Sequence, residues 1–275
     1  MALITLDDVL GCLAVEQVGE TTWTAPNIDM DYRRIFGGQL LAQAVVLATA
    51  TDPDKAVKSM SVLFPREGSL DEPLTFDVEA TQSGRTFSAR RITAAQNDKV
   101  FFVAQVSLHD PTEMGLDHED PPPDVGSPDD AQPEDMNMIP WENRVVGGVD
   151  LTDRSAAPAD YAFWSRVPAL ADTTQSVHQA LLAHATDLTV IGTALRPHAG
   201  YSQADSTVTL HTAVTSHQLW FHRPVRIDRW CLISQHSPIT AGGRGFGVGH
   251  VHDDDGHLVA SFAQESMVRL LEPTQ

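Results

Sequence analysis

The sequence contains two similar halves, and this duplication limits the folds that the chain can adopt. Residues 84–87 read GRTF and residues 243–246 read GRGF, and the dipeptide AQ at 104–105 recurs at 263–264 with the same offset. Between these anchors, each half predicts two alternating apolar strands joined by a short polar turn. Similar segments at a fixed offset indicate a duplicated structural unit.

Each half also contains one strongly apolar segment ahead of its strands. Residues 37–52 (GGQLLAQAVVLATATD) and residues 173–188 (TTQSVHQALLAHATDL) each predict a helix that ends near an aspartate, Asp52 or Asp187. Ala, Leu and Val occur almost all round both helices, which is typical of helices buried on every side. One buried helix followed by a long antiparallel meander, present twice, predicts an α+β protein in which each sheet wraps around a central helix.

A segment rich in acidic residues and proline separates the two halves. Residues 110–139 include three consecutive prolines and show no apolar periodicity, so we interpret them as part of an extended linker. The chain therefore divides into a first repeat at 1–110, an acidic linker at 111–158 and a second repeat at 159–275.

The charge balance excludes several classes of partner. The 275 residues carry 18 Lys and Arg against 37 Asp and Glu, a net charge of −19. Such an acidic chain repels phosphate backbones, so we expect no nucleic-acid partner. No apolar run reaches the ~20 residues needed to span a bilayer, so we expect no membrane insertion. The N-terminus lacks the basic region of a signal peptide, and the 2 cysteines match no metal or redox spacing, which indicates a cytoplasmic protein.

Motifs spread over nearly the whole chain resemble the type II acyl-CoA thioesterases, a family of double hotdog proteins. The similar segments read FGGQ (36–39), FSARR (87–91), ATDL (185–188), WFHRP (220–224), RGF (244–246) and AQE (263–265). The resemblance implies two tandem hotdog repeats. It also implies hydrolysis of an acyl-CoA, expected to be of medium to long chain, to a free fatty acid and CoA without a metal or organic cofactor. Hotdog repeats commonly associate, so we expect a homo-oligomer.

The resemblance further implies a catalytic site in the second repeat. The family's polar set is an Asp after the second helix, a hydroxyl on the following strand and a Gln on the last strand. Asp187 and Gln264 match, with Asp187 expected to activate a water and Gln264 to orient it. The family's hydroxyl falls on Val214. We expect Ser216 to replace it, because alternate residues of a strand share a face, with Thr215 as the alternative if a bulge intervenes.

Several residues are candidates for substrate binding. Gly37 and Gly38 would let a ligand approach the first helix closely and would offer backbone N–H donors to a developing oxyanion. Arg244 is the arginine that we select as a substrate-binding residue. Other arginines whose forked guanidinium could meet the phosphates of CoA are Arg33, Arg34, Arg66, Arg85, Arg90, Arg91, Arg223, Arg226 and Arg229.

Other functions are less well supported by the sequence. Residues 249–257 (GHVHDDDGH) look like metal ligands, yet they fall at a predicted hairpin turn, so we expect no metal site. The motifs of serine hydrolases, zinc peptidases, NTPases and dinucleotide enzymes are absent from the sequence. Two alternatives stay open: a hotdog enoyl-CoA hydratase, and a weakly active or non-catalytic acyl-CoA binding module that lost its hydroxyl at Val214.

Overall fold

A computed structural model describes residues 4–28, 30, 34–112, 115–170 and 174–271. Arg33 and Thr173, which the sequence analysis names, lie outside these ranges. The helices of the described residues are α1 (Leu6–Cys12), α2 (Gly37–Ala50), α3 (Gln175–Ala185) and α4 (Val190–Leu195). The strands up to residue 109 are β1 (Glu16–Gln17), β2 (Thr22–Ala25), β3 (Ala56–Leu63), β4 (Leu74–Ser83), β5 (Phe87–Gln96) and β6 (Lys99–His109). The later strands are β7 (Gln132–Pro133), β8 (Glu142–Val145), β9 (Asp160–Arg166), β10 (Leu210–Phe221), β11 (Cys231–Ala241), β12 (Arg244–Asp253) and β13 (Leu258–Leu270).

The strands of the described residues form one antiparallel sheet with a symmetric strand order. That order is β1-β2-β4-β5-β6-β3-β10-β13-β12-β11-β9-β8-β7. The run β2-β4-β5-β6-β3 in the first repeat matches the run β9-β11-β12-β13-β10 in the second, read from the opposite edge. The two repeats join where β3 pairs with β10. The predicted α+β architecture, a central helix wrapped by an antiparallel sheet and present twice, is confirmed.

The two predicted central helices are buried and pack against each other. All residues of α2 from Gly38 to Thr49 are buried, and α3 is buried from His178 onward. Most of the buried apolar side chains of both repeats form one continuous cluster. At the helix contact, a Cβ on Gly38 would lie only 2.5 Å from the carbonyl oxygen of His184. Glycine is therefore required where the start of α2 meets α3.

The segment predicted as a linker also contributes two strands to the sheet. Its strand β8 pairs with β9, and β7 pairs with β8, so the part from 132 onward extends the sheet of the second repeat. Val125, Ala131 and Val146 pack against Trp164 and Leu232. The interpretation of 111–158 as linker throughout is therefore wrong for these strands. Too few apolar residues alternate there for the sequence to reveal them.

Glu119 fixes the earlier part of this acidic segment to the second repeat. Its carboxylate accepts hydrogen bonds from His257 Nδ1 (2.6 Å), the backbone N–H of Leu258 (3.0 Å) and the guanidinium of Arg223 (3.2 Å). The hydrogen bonds from His257 and Leu258 contribute most to lowering the pKa of Glu119 to about 2. The segment thus contacts the hairpin between β12 and β13.

The two hairpins differ by one residue, which changes the relation between the repeated Gln residues. Ala94 pairs with Phe102 in the first repeat, whereas Val251 pairs with Ala260 in the second, so the second connection is one residue longer. One extra residue moves the following side chains to the opposite face of a strand. Gln105 is exposed and Gln264 is fully buried, although they share the sequence offset.

Candidate active site

Asp187 lies where the end of α3 meets the start of α2. Thr186 closes α3 in a helical conformation, and the Asp187 side chain then points at the N-terminus of α2. A Cβ on Gly37 would lie 2.7 Å from Oδ2 of Asp187, so only glycine leaves room for the carboxylate. The backbone N–H of Gly38 donates a hydrogen bond to this carboxylate.

The surroundings of Asp187 suit a general base. Asp187 is 4% exposed, and its Oδ1 has no hydrogen-bond partner among the described residues. Burial raises the pKa of Asp187 to about 7, against the opposing effect of the hydrogen bond from Gly38. A base whose pKa lies near neutrality is effective at physiological pH. One oxygen is therefore available to a water or substrate.

Asp187 lines a cavity of about 740 Å³ that is built from both repeats and the intervening segment. A cavity of this size falls within the ~300–1,000 Å³ typical of small-molecule sites. Its wall is largely apolar, and it includes Ile4, Met30, Ile35, Phe36, Leu40, Phe64, Met136, Met138, Leu151, Ile191 and Met267. The cavity therefore presents an apolar surface beside the Asp187 carboxylate.

Asp52 is the counterpart of Asp187 in the first repeat, and its environment differs. Each helix ends in the sequence Ala-Thr-Asp, at 50–52 and 185–187. The Asp52 carboxylate contacts Lys55 Nζ (3.0 Å) and Arg90 Nη2 (3.5 Å), and it accepts a hydrogen bond from Ser88 Oγ (2.5 Å). Although burial acts to raise it, these hydrogen bonds and cations hold the pKa of Asp52 below its usual range. Asp52 is therefore paired with cations, whereas the Asp187 carboxylate has only the Gly38 N–H as its hydrogen-bond partner among the described residues.

Hydrogen bonds through His217 connect Gln264 to Thr186, the residue before Asp187. Its Oε1 lies 3.0 Å from Nδ1 of His217, and its Nε2 donates to Ser266 Oγ (3.3 Å). Nε2 of His217 lies 3.2 Å from the hydroxyl of Thr186, the residue before Asp187. Gln264 is absent from the described lining of the cavity, so the structure links it to Asp187 without bringing the two side chains into hydrogen-bond contact.

The strand β10 contains a bulge that changes the position of the candidate hydroxyls. Val214 pairs with Ser266 but Ser216 pairs with Glu265, so Thr215 is the extra residue. The expectation that Ser216 shares a face with Val214 is therefore wrong, because the bulge shifts the alternation by one. Thr215 and Val214 line the described cavity, whereas Ser216 does not. The Thr215 hydroxyl lies 2.9 Å from Oε1 of Glu265.

Some of the candidate arginines line the described cavity and others do not. Arg244 lies 3.6 Å from Glu265 and does not line the described cavity, so the structure does not bring it to Asp187. Arg34 and Arg66 do line it. Arg34 pairs with Glu67 (2.9 Å), whereas the Arg66 guanidinium donates to the carbonyl of Val100 (2.9 Å) instead of to a carboxylate of the described residues. No feature of the sequence indicated that Arg34 and Arg66 would line the cavity, because their positions there depend on how the loops are placed.

Two histidines of the 249–257 segment lie on opposite sides of their strand. His250 is exposed and His252 is buried, because a bulge lies between Val251 and His252. Within the described ranges, no group of three or more His, Cys, Asp or Glu side chains could hold a metal ion. In that same part of the chain, no helix has both the length and the apolar character to cross a membrane.

The duplicated helix and sheet, joined at β3 and β10, define a double hotdog protein. A solved structure from Alicyclobacillus acidocaldarius, described as having a hot dog fold, superposes with a TM-score of 0.72 at 18% identity, covering 97% of this chain and 98% of that one. The structure of an acyl-CoA thioesterase II, TesB2, from Mycobacterium marinum superposes with a TM-score of 0.82 at 30% identity, covering 96% of this chain and 99% of that one.

Sequence comparison identifies the family. Residues 25–109 match the acyl-CoA thioesterase N-terminal domain and residues 114–268 match the acyl-CoA thioesterase C-terminal domain. Acyl-CoA thioesterase 2 of Haemophilus influenzae is 30% identical, covering 97% of this chain and 99% of the relative. Acyl-coenzyme A thioesterase 8 of Mus musculus is 30% identical, covering 86% of this chain and 81% of the relative. The chain belongs to the acyl-CoA thioesterase family, and it is a thioester hydrolase.

Proposed function

We propose that the protein hydrolyses acyl-CoA thioesters with a water that Asp187 activates. The observation that carries this proposal is the buried Asp187 carboxylate, held on one side by the Gly38 N–H and lining a largely apolar cavity. Family membership favours hydrolysis over the hydratase and the binding module that the sequence left open.

The reaction requires one water and no other reactant. Asp187 takes a proton from the water, and the water oxygen attacks the thioester carbonyl carbon. The carbonyl oxygen becomes an oxyanion, and we assign its stabilisation to the N–H of Gly37 at the start of α2. When the intermediate collapses, the C–S bond breaks and Asp187 returns the proton to the thiolate of CoA. The products are a fatty acid and CoA.

Two polar side chains complete the proposed site. We assign the orientation of the water to Gln264, which does not line the described cavity itself. Its amide oxygen is held by His217, and the donor that would meet the water is the second N–H of Nε2, the one not donated to Ser266. Thr215 now replaces Ser216 as the candidate hydroxyl, because Thr215 lines the described cavity. Thr215 lies beside Val214, the position at which the family hydroxyl is expected.

The cavity favours a medium to long acyl chain, with the nucleotide of CoA outside it. Each buried methylene contributes about 0.8 kcal/mol, which corresponds to about a fourfold gain in kcat/KM per carbon until the apolar wall is filled. Arg66 and Arg34 are the cavity-lining cations that would meet the phosphates of CoA. A chain-length series therefore measures the depth of the cavity directly.

The test compares Asp187→Asn with a matched control, Asp52→Asn, because each aspartate follows the end of its central helix. Release of free thiol is measured for both variants and the wild type over a series of saturated acyl-CoAs. Asp187→Asn should lower kcat by about 10²- to 10⁴-fold, as expected for loss of a general base. Asp52→Asn should retain kcat. Equal activity of Asp187→Asn and the wild type would refute the proposed site.

A cytoplasmic location and assembly into a homo-oligomer complete the proposal. Both cysteines, Cys12 and Cys231, are buried free thiols, which suits a reducing compartment. Light scattering coupled to gel filtration tests the assembly, and a mass equal to one 29.9 kDa chain would contradict it.

A further inference from the structure

His217 is a fully buried histidine whose two ring nitrogens both meet side chains of the site. Nδ1 lies 3.0 Å from Oε1 of Gln264, and Nε2 lies 3.2 Å from the hydroxyl of Thr186. The imidazole also stacks on Phe262, with ring centroids 5.9 Å apart and planes 7° from parallel. The ring therefore connects β13 to the end of α3, one residue before Asp187.

The hydrogen bonds define the protonation of this ring. The amide oxygen of Gln264 only accepts hydrogen bonds, so Nδ1 of His217 carries the proton and donates it. Nε2 is then an acceptor, and the Thr186 hydroxyl can donate to it or to the carbonyl of Ala183 (2.9 Å). Burial lowers the pKa of His217 to about 4, although the hydrogen bond to Gln264 opposes this effect. A neutral ring with both nitrogens engaged is unsuited to act as the base.

The first repeat shows that the fold does not need this polar pair. Phe102 and Ala260 are equivalent positions, because each is in the pair that precedes the bulge at its hairpin. Val106 follows Phe102 at the same distance in sequence as Gln264 follows Ala260, so Val106 is the counterpart of Gln264. Val106 pairs with Met60 across β6 and β3, as Gln264 pairs with His217 across β13 and β10. An apolar pair thus fills the same place in the repeat whose aspartate is partnered.

The threonine that follows each central helix also has a different partner in the two repeats. Thr51, the counterpart of Thr186, accepts a hydrogen bond from Nε of Arg90 (2.7 Å), and the same arginine lies 3.5 Å from Asp52. In the second repeat the hydroxyl of Thr186 meets His217 instead. Burying polar groups in place of methionine and valine costs folding free energy unless each finds a partner. The polar pair lies in the repeat whose helix-end aspartate, Asp187, has no cation partner among the described residues.

We propose that His217 is a positioning residue of the thioesterase site, holding the Gln264 amide and the Thr186 hydroxyl in a fixed relation to Asp187. This inference rests on the proposed function, because it assigns His217 an effect that acts through Gln264. His217 does not touch the substrate. Its contribution is to restrict the rotation of the Gln264 amide, so that the amide can orient the attacking water.

The test transplants the apolar pair of the first repeat into the second. The variants are His217→Met, Gln264→Val and the double variant, which together copy Met60 and Val106. Each single variant should lower kcat by about 10- to 100-fold with KM unchanged, since small misplacements in a site cost up to about 10²-fold. The double variant should be no slower than Gln264→Val, because His217 acts through Gln264.

A conservative variant and a matched control complete the design. His217→Asn keeps a donor near Nδ1 and should restore kcat to within about fivefold of the wild type, because the bond to Gln264 is retained. It also provides a second measurement if His217→Met does not fold. His252→Met removes another buried histidine, on β12, whose Nδ1 has no partner among the described residues, and it should leave kcat unchanged.

The outcomes separate the positioning role from the proposed function. If Gln264→Val lowers kcat and folded His217→Met does not, the positioning role is overturned and the proposed function stands. If the two effects add in the double variant, His217 does not act through Gln264, and the inference is again overturned. If His217→Met lowers only the melting temperature, its role is structural. Asp187→Asn tests the proposed function independently of all these variants.

Discussion

Replacing Asp187 with asparagine should make the protein more stable while it removes activity. Burial raises the pKa of Asp187 from 3.8 to about 7, so ionising the carboxylate in the folded state is unfavourable. At 1.36 kcal/mol per pKa unit, this difference corresponds to about 4 kcal/mol. Asparagine keeps an oxygen for the Gly38 N–H but introduces a buried amide nitrogen, which costs about 1–3 kcal/mol if unpaired. The net gain expected at pH 8 is therefore about 1–3 kcal/mol.

The gain should depend on pH in a defined direction. Because its pKa is raised by folding, Asp187 contributes stability that is fully present below pH 3.8 and is lost as the pH rises through about 7. Asparagine has no such titration, so the advantage of Asp187→Asn should be largest above pH 7 and should shrink as the pH falls toward 4. Urea unfolding of both proteins between pH 4 and pH 8.5 measures this difference.

Asp52→Asn is the control, and its effect on stability should have the opposite sign. Asp52 contacts Lys55 and Arg90, and the substitution would leave the largely buried Arg90 guanidinium without its carboxylate. Loss of one partner of a buried charged pair is destabilising. If Asp187→Asn is no more stable than the wild type at pH 8, or if its advantage does not change with pH, burial does not raise the pKa of Asp187 in the folded protein.

Three further predictions concern activity. The value of kcat/KM should fall tenfold for each pH unit below about 7, because the Asp187 base must be deprotonated; a flat profile from pH 5 to pH 8 would exclude this role. Arg66→Ala should raise KM for acyl-CoA about tenfold, as expected for a lost charge-assisted hydrogen bond, whereas Arg244→Ala should not; steady-state kinetics with both variants test the assignment of the phosphate contact. Thr215→Val should lower kcat about tenfold and Ser216→Ala should not, since only Thr215 lines the described cavity; the reverse result would restore Ser216 as the hydroxyl.

The duplicated fold could be predicted from the sequence because local patterns dominate it. The strands expected between the repeated anchors of the first half include β5 (Phe87–Gln96), and the apolar segment at 37–52 contains α2. The turn at Asn97 and Asp98 has positive φ values of 49° and 61°, as its polar residues indicate. These features depend on residues close together in the chain, so the sequence suffices.

The face on which a strand residue lies was harder to predict, because one inserted residue reverses it. The bulge between Val214 and Ser216 moved Ser216 away from the described cavity, and no residue type in that stretch marks a bulge. The arginines that line the cavity could not be predicted from the sequence, for a different reason. Arg66 and Arg34 meet at the cavity through loops and long-range pairing, so alternation within one strand gave no information about them.

The two aspartates offer a physical reason for the single site that we propose in this duplicated chain. A partnered carboxylate stabilises the fold but is a poor base, since its pKa is held low by hydrogen bonds and cations. An unpartnered buried carboxylate has the pKa of an effective base, at a cost in folding free energy. The first repeat combines Asp52 with Lys55 and Arg90, and it places an apolar pair on its sheet. The second repeat alone therefore bears the energetic cost that the proposed chemistry requires.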